Sequence, residues 1–328
     1  MRCISRAKSA ALVCVASISL FTGGCIGGKG ATPVTAYELK NYNQDLYQGK
    51  LYAEELCVAQ NDVALEGYTE DTELHSAALF DLTGERVLYS YKAHERLYPA
   101  STTKIMTALL AIENANLDDQ VTISGNADAS SFPADAQVCG LAKGEVWTLR
   151  DLLGALLLYS GNDAATAIAE YVGGSEEVFV NMMNRRAQEL MANGTHFMNP
   201  HGLHDDNHYT TAYDLYLIFN ECIKHEDFVN IIQSEAYTAY YTDVDGNSQE
   251  ALFTPTNLYA QGEVDVPENV TIVGGKTGTT DEAGYCLILM EKDSSDNPYI
   301  SIVMGASEKP VLYEDMTSLI EAIPSGQQ

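Results

Sequence analysis

Between residues 76 and 306 the apolar positions change period twice. Ser76-Ala-Ala-Leu-Phe-Asp-Leu82 and Arg86-Val-Leu-Tyr-Ser-Tyr91 are short aliphatic and tyrosine-rich runs split by Thr83-Gly84, which predicts strand, turn, strand. From residue 104 to about residue 230 the pattern turns helical, beginning with the apolar run Ile105 to Ile112. Thr148, with Asp151 three residues on, has the form of a capping box opening a helix over Leu152 to Leu158. Ser175 is placed to cap a helix over Glu176 to Ala192 that Gly194 stops, and Thr211 with Asp214 opens another. After Gln249 strand runs return at Thr271 to Gly275, Tyr285 to Met290 and Tyr299 to Met304, the last two joined by the turn-rich Asp293 to Pro298. Strands at both ends with helices between predict an α+β fold: an antiparallel sheet formed from both ends of the domain, flanked by helices, plus a helical subdomain, with a site in the cleft between them. Trp147 and the tyrosines Tyr237, Tyr240 and Tyr241 read as packing residues without a role in the chemistry.

The chain has 328 residues, of which 46% are apolar, enough to bury a sizeable core in one large domain or two small ones. Its 18 basic and 46 acidic residues give a formal charge of -28, which argues against nucleic acid as a partner, since that requires basic patches to displace phosphate counterions. The first residues break this acidic pattern. Arg2, Arg6 and Lys8 precede an apolar stretch, Ser9 to Phe21, too short for a stable bilayer span, so residues 1–24 read as an export signal peptide. The signal closes in Phe21-Thr-Gly-Gly-Cys25, which resembles the lipobox of bacterial lipoproteins, where the cysteine is diacylated and becomes the new N-terminus. Thr22 departs from that pattern, an aliphatic residue being commoner there, and ordinary cleavage near Gly24 with Cys25 incidental is the competing reading. Residues 25–70, glycine-rich and then polar and acidic, read as a tether, and residues 71–328 as the folded domain. The remaining cysteines, Cys57, Cys139, Cys222 and Cys286, are spaced too irregularly for a disulfide framework or a zinc pattern and read as free thiols, with Cys139 near the rim of the expected site.

Three short motifs carry the chemistry: Ser101-Thr102-Thr103-Lys104, Ser160-Gly161-Asn162 and Lys276-Thr277-Gly278. Ser101 and Lys104 open the first helix, and three residues apart on a helix they share a face. Serine is a poor nucleophile until a base takes its proton, and lysine can be that base only when its amine is neutral. Burial and a second cation both favour the neutral amine, and Lys276 is the candidate second cation. Each motif alone is commonplace, but the three in this order match a serine acyl-transfer set.

Tyr98-Pro-Ala-Ser-Thr-Thr-Lys-Ile-Met-Thr107, the segment Leu152 to Ala165, Asn199-Pro-His-Gly-Leu203 and Gly275-Lys-Thr-Gly-Thr-Thr-Asp-Glu-Ala-Gly-Tyr285 together resemble the serine-type D-alanyl-D-alanine carboxypeptidases, the low-molecular-mass penicillin-binding proteins. The resemblance runs from about His75 to the end of the chain. It implies a β-lactamase/transpeptidase-like fold and removal of the terminal D-Ala from peptidoglycan stem peptides through a Ser101 acyl-enzyme. Lys104 would accept the serine proton, Ser160 would relay a proton to the leaving amine, and Asn162 would hold the substrate backbone and the Lys104 head group. Lys276, Thr277, Gly278 and Thr279 would face the substrate, and the backbone N–H groups of Ser101 and Thr279 would form the oxyanion hole. No metal or organic cofactor is implied, and the expected partners are the stem peptide, β-lactam antibiotics and the membrane through a lipid on Cys25.

The departures and rivals are specific. Many members carry a C-terminal β-rich domain and amphipathic anchor, which a chain ending soon after Ile323-Pro324 does not suggest. Members often place an arginine after Met-Gly-Ala, whereas Met304-Gly-Ala-Ser-Glu-Lys309 has none, so Lys309 is the candidate replacement, without the bidentate fork. A class A β-lactamase would need a deacylating glutamate, for which Glu170 is the nearest offer. A metal hydrolase would draw on His196, His201, His204 and His208 with Asp205 and Asp206. A DD-endopeptidase or transpeptidase on the same fold, and a penicillin-binding wall-sensing lipoprotein without turnover, complete the alternatives.

Overall fold

The computed structural model describes residues 55–65 and 76–324. Cys25, the signal peptide and most of the tether therefore lie outside the described residues. Where the tether expectation overlaps them, it is corrected. Cys57 is fully buried with its N–H on the Tyr216 hydroxyl at 2.9 Å, and Val63 exchanges backbone hydrogen bonds with Ser90, so residues 55–65 pack onto the domain through their apolar side chains.

A five-stranded antiparallel sheet is built from β1 (Ser76–Asp81), β2 (Arg86–Tyr91), β7 (Val270–Thr280), β8 (Gly284–Asp293) and β9 (Pro298–Ala306) in the order β2-β1-β9-β8-β7. The near-continuous apolar runs of β1, β8 and β9 follow from burial on both faces, and strand alternation sorts their residues. Phe80, Ile288, Met290, Ile300 and Ile302 face the helices. Leu79, Leu287, Leu289 and Val303 face the C-terminal helix α8 (Lys309–Glu321), whose Leu312, Met316 and Leu319 complete that second core.

The helical region holds α1 (Lys104–Asn114), α2 (Leu149–Gly154), α3 (Asn162–Gly173), α4 (Glu176–Glu189), α5 (Ala212–Cys222) and α6 (Glu226–Ile232), with a short α7 (Leu258–Gln261) following later in the chain. The caps expected at Thr148, Ser175 and Thr211 are formed, each side chain accepting from the backbone N–H three residues on. The expected helix from Leu152 to Leu158 begins earlier and changes character: α2 passes into a wide π-helical turn over Ala155–Tyr159. A second, four-stranded sheet was not foreseen, in the order β3 (Gln120–Thr122), β4 (Val146–Thr148), β5 (Tyr237–Thr242) and β6 (Ser248–Phe253). Trp147 stacks flat on Tyr241 within it, centroids 4.2 Å apart, which is the packing role expected of both.

Glu291 sits on β8 in the core beneath α8, with no accessible surface and with Ser301 of β9 as a polar neighbour but no cation paired to it among the described residues. Burial raises its pKa well above the usual carboxylate range, so the carboxyl is held neutral. The native state then keeps a proton that the unfolded chain releases above about pH 4.3, and stability falls as pH rises from there. Glu291→Leu is expected to raise stability by about 1–3 kcal/mol near pH 7. Urea denaturation of the two proteins should show the gain growing with pH, and a loss at every pH would refute the reading.

Candidate active site

Ser101 lies in a 3-10 turn, Ala100–Thr103, and Lys104 begins α1. This refines the expected position at the helix start. In a 3-10 turn residues i and i+3 eclipse, which brings the two side chains together. The Lys104 Nζ is 2.8 Å from Ser101 Oγ, 2.7 Å from Asn162 Oδ1 and 2.6 Å from the His201 carbonyl. Asn162 Oδ1 and the carbonyl can only accept. A neutral amine donates its two hydrogens to them and turns its lone pair to the Ser101 hydroxyl. Lys104 has no accessible surface, and burial, reinforced by the nearby Lys276, pushes its pKa well below the usual lysine range.

Lys276 lies on β7 and donates to Ser160 Oγ at 2.8 Å and to the Thr277 carbonyl at 2.9 Å, with its pKa pushed down to about 7 by burial. The expected strand at Thr271 to Gly275 thus continues through the whole third motif to Thr280. Ser160 closes the π-helical turn in the left-handed conformation, φ 73°, rare for a residue with a side chain and a form of strain found at functional sites. That geometry swings its hydroxyl from the helices to the sheet.

Gly278 explains why the third motif ends in glycine. A Cβ there would meet the Pro99 carbonyl at 2.9 Å and the Ser101 nitrogen at 2.9 Å, so the strand backbone and the turn that bears Ser101 touch with no room between them. The turn is also fixed from behind. His208, buried and with its pKa lowered to about 4 by burial, shares a 2.8 Å hydrogen bond through Nε2 with Thr103 Oγ1, which itself donates to the Ala100 carbonyl.

These groups open onto a cleft of about 660 Å³ lined by Ser101, Ser160, Asn162, Thr277, Gly278 and Thr279 among others. Lys309 lines the same cleft from the start of α8. Several lining residues carried no signal in the motifs, Gln137 and Thr256 among them. Gln137 comes from the loop before β4, and Thr256, after β6, shares a 2.6 Å hydrogen bond with the Thr277 hydroxyl. Cys57, Cys139, Cys222 and Cys286 are free thiols. Glu170 points elsewhere, accepting from Asn126 Nδ2 at 2.8 Å. The histidines are separately engaged: His201 Nδ1 accepts from the Leu203 N–H, His196 Nδ1 meets the Asn207 carbonyl and His204 lies beside Asp206. Among the described residues no group of three or more metal-ligating side chains is assembled.

A lysine amine shared by a serine and an asparagine, with a second lysine across the cleft, stands in a chain whose residues 64–308 match the family model of the peptidase S11 D-alanyl-D-alanine carboxypeptidases. This chain belongs to that family. It is 34% identical over 254 residues to D-alanyl-D-alanine carboxypeptidase DacF of Bacillus subtilis, covering 76% of this chain and 61% of that protein. It is 31% identical over 249 residues to DacC of Escherichia coli, covering 74% and 59%. The chain thus spans about three-fifths of the length of these curated relatives. The crystal structure of the Streptomyces K15 DD-transpeptidase superposes with a TM-score of 0.71 at 28% identity, covering 78% of this chain and 98% of that one. The fold is therefore the α+β architecture of the penicillin-binding proteins, with the sheet built from both ends of the domain as expected.

Proposed function

We propose that this member of the family is a serine DD-carboxypeptidase that removes the terminal D-Ala from peptidoglycan stem peptides. The observation that carries the reading is the Lys104 amine, 2.8 Å from the Ser101 hydroxyl with acceptors for both hydrogens of its neutral form. Ser101 Oγ attacks the carbonyl between the two D-alanines while its proton passes to Lys104. The oxyanion is held by the N–H groups of Ser101 and Thr279, at about 3 kcal/mol per donor. The proton then reaches the departing amine through Ser160, D-alanine leaves, and water deprotonated by Lys104 cleaves the ester. Asn162 holds the substrate backbone. Lys276, Thr277 and Thr279 face the terminal carboxylate, with Lys309 at the cleft edge where an arginine is commoner. A β-lactam presents a strained amide and a carboxylate in a similar layout and acylates the same oxygen.

The chain acts outside the cytoplasm, delivered by the signal of residues 1–24 and held by a lipid on Cys25 with residues 26–54 as spacer. The match to a protein named a DD-transpeptidase supports transpeptidation as the second reading.

Purified protein given a diacylated lysyl-D-Ala-D-Ala peptide should release free D-alanine and should retain one fluorescent penicillin per chain. Label without release would favour a wall-sensing module, and neither would end the proposal. Adding a D-amino acid acceptor separates the second reading, and palmitate incorporated into the same labelled band in cells tests the anchor.

A further inference from the structure

Asp163 follows Asn162 in the first turn of α3 and is fully buried, yet it pairs with no cation among the described residues. Its two oxygens instead accept four backbone N–H groups. Oδ1 takes those of Cys139 at 2.9 Å and Ala164 at 2.9 Å, and Oδ2 takes those of Gly140 at 2.9 Å and Leu141 at 3.1 Å. The left-handed Gly140, φ 88°, helps turn three consecutive N–H groups of the loop towards one carboxylate, an anion nest of the kind usually offered to a ligand. The same loop supplies Asp135, Ala136 and Gln137 to the cleft wall, and the Gln137 carbonyl accepts the Asn162 N–H at 2.8 Å.

We infer that Asp163 is a positioning residue for the reaction: its carboxylate clamps loop 135–141 as one rim of the cleft and sets Asn162 and the charge balance around the buried Lys104. The inference rests on the proposed acyl-transfer reading. The clamp has two separable effects. Through the loop it fixes Asp135 to Gln137, which a peptide substrate must pass and a compact β-lactam need not. Through its charge it opposes Lys276. The titratable or charged groups around Lys104 are Lys276 from β7, Cys139 from the loop, Asp163 from α3, and His201 and His208 from the segment before α5. Among them Asp163 is the carboxylate that favours a protonated Lys104, the Cys139 thiol being held neutral by burial. Removing its charge makes Lys104 easier to deprotonate.

Two variants test this. Asp163→Asn puts an NH2 group against two N–H donors and removes the charge. It is expected to lower kcat/KM for the D-Ala-D-Ala peptide at least tenfold more than it slows penicillin acylation, and to move the acid limb of the acylation profile to lower pH. Gly140→Val leaves the charge and strains the loop. It should reproduce the peptide-selective loss with the acid limb unmoved, and it stands as the test of the rim should Asp163→Asn fail to fold. Wild-type peptide kinetics in Gly140→Val, or a folded Asp163→Asn with an unshifted acid limb, would overturn the inference. A wild-type protein that neither labels nor turns over peptide would instead overturn the reading beneath it.

Discussion

Replacing Lys104 with alanine is expected to slow acylation of Ser101 by penicillin, and D-alanine release, by at least about 10²-fold, the usual contribution of a positioned general base. The amine is the one base within 3 Å of the serine hydroxyl among the side-chain contacts described, at 2.8 Å, and alanine offers nothing in its place. Arginine should not rescue the activity, because a guanidinium keeps its proton and has no lone pair to offer. The arginine variant thus separates a base from a mere positive charge. Stopped-flow acylation with labelled penicillin reads the effect directly, with Ser101→Ala as the unlabelled control. A Lys104→Ala protein that acylates at the wild-type rate would remove lysine from the mechanism, and covalent label on Ser101→Ala would move the nucleophile elsewhere.

Lys276→Ala should lower kcat/KM for the peptide by about 10²- to 10³-fold, as expected when one partner of a buried charged contact is truncated. The pH profile carries the more specific expectation. In the free enzyme Lys276 has its pKa pushed down to about 7 by burial, so its positive charge fades as pH rises through that value, and kcat/KM for a carboxylate-terminated peptide should fall with it. Lys276→Arg keeps the charge and should flatten this alkaline limb. Lys276→Ala also takes a cation from beside Lys104, which raises the Lys104 pKa and moves the acid limb to higher pH. An alkaline limb that survives unchanged in Lys276→Arg would show that another group titrates there.

The motif residues were legible because the chemistry proposed for them demands particular residue types at fixed spacing. Ser101, Lys104 and Asn162 form one hydrogen-bonded set, and Ser160 and Lys276 form another. The long strands β1, β8 and β9 were legible for the same reason as any doubly buried strand, a continuous apolar run ended by turn residues. The second sheet was not, since β3 and β4 have three residues each and so carry no readable period. Its β5–β6 hairpin had a usable signal in Asp245-Gly246, a strong turn dipeptide between two tyrosine- and aliphatic-bearing runs. What remained hidden depends on backbone conformation: the left-handed Ser160, the π-helical turn before it and the nest around Asp163 are set by tertiary contacts that no residue type announces. Thr256 was missed because a lone threonine in a loop has no spacing to betray it.

The five-stranded sheet also bears on when the molecule can form. β1 stands between β2 and β9, with Ser76 opposite Met304, so the sheet joins the first described strand to the last. Until the ribosome has delivered β9 the hairpin β1–β2 has an unfilled edge, and β7, which bears Lys276, has no sheet to extend. Such long-range closure is slow. The domain therefore stays unclosed until β9 has emerged, and only then can the strand that bears Lys276 be held in the sheet against the turn that bears Ser101.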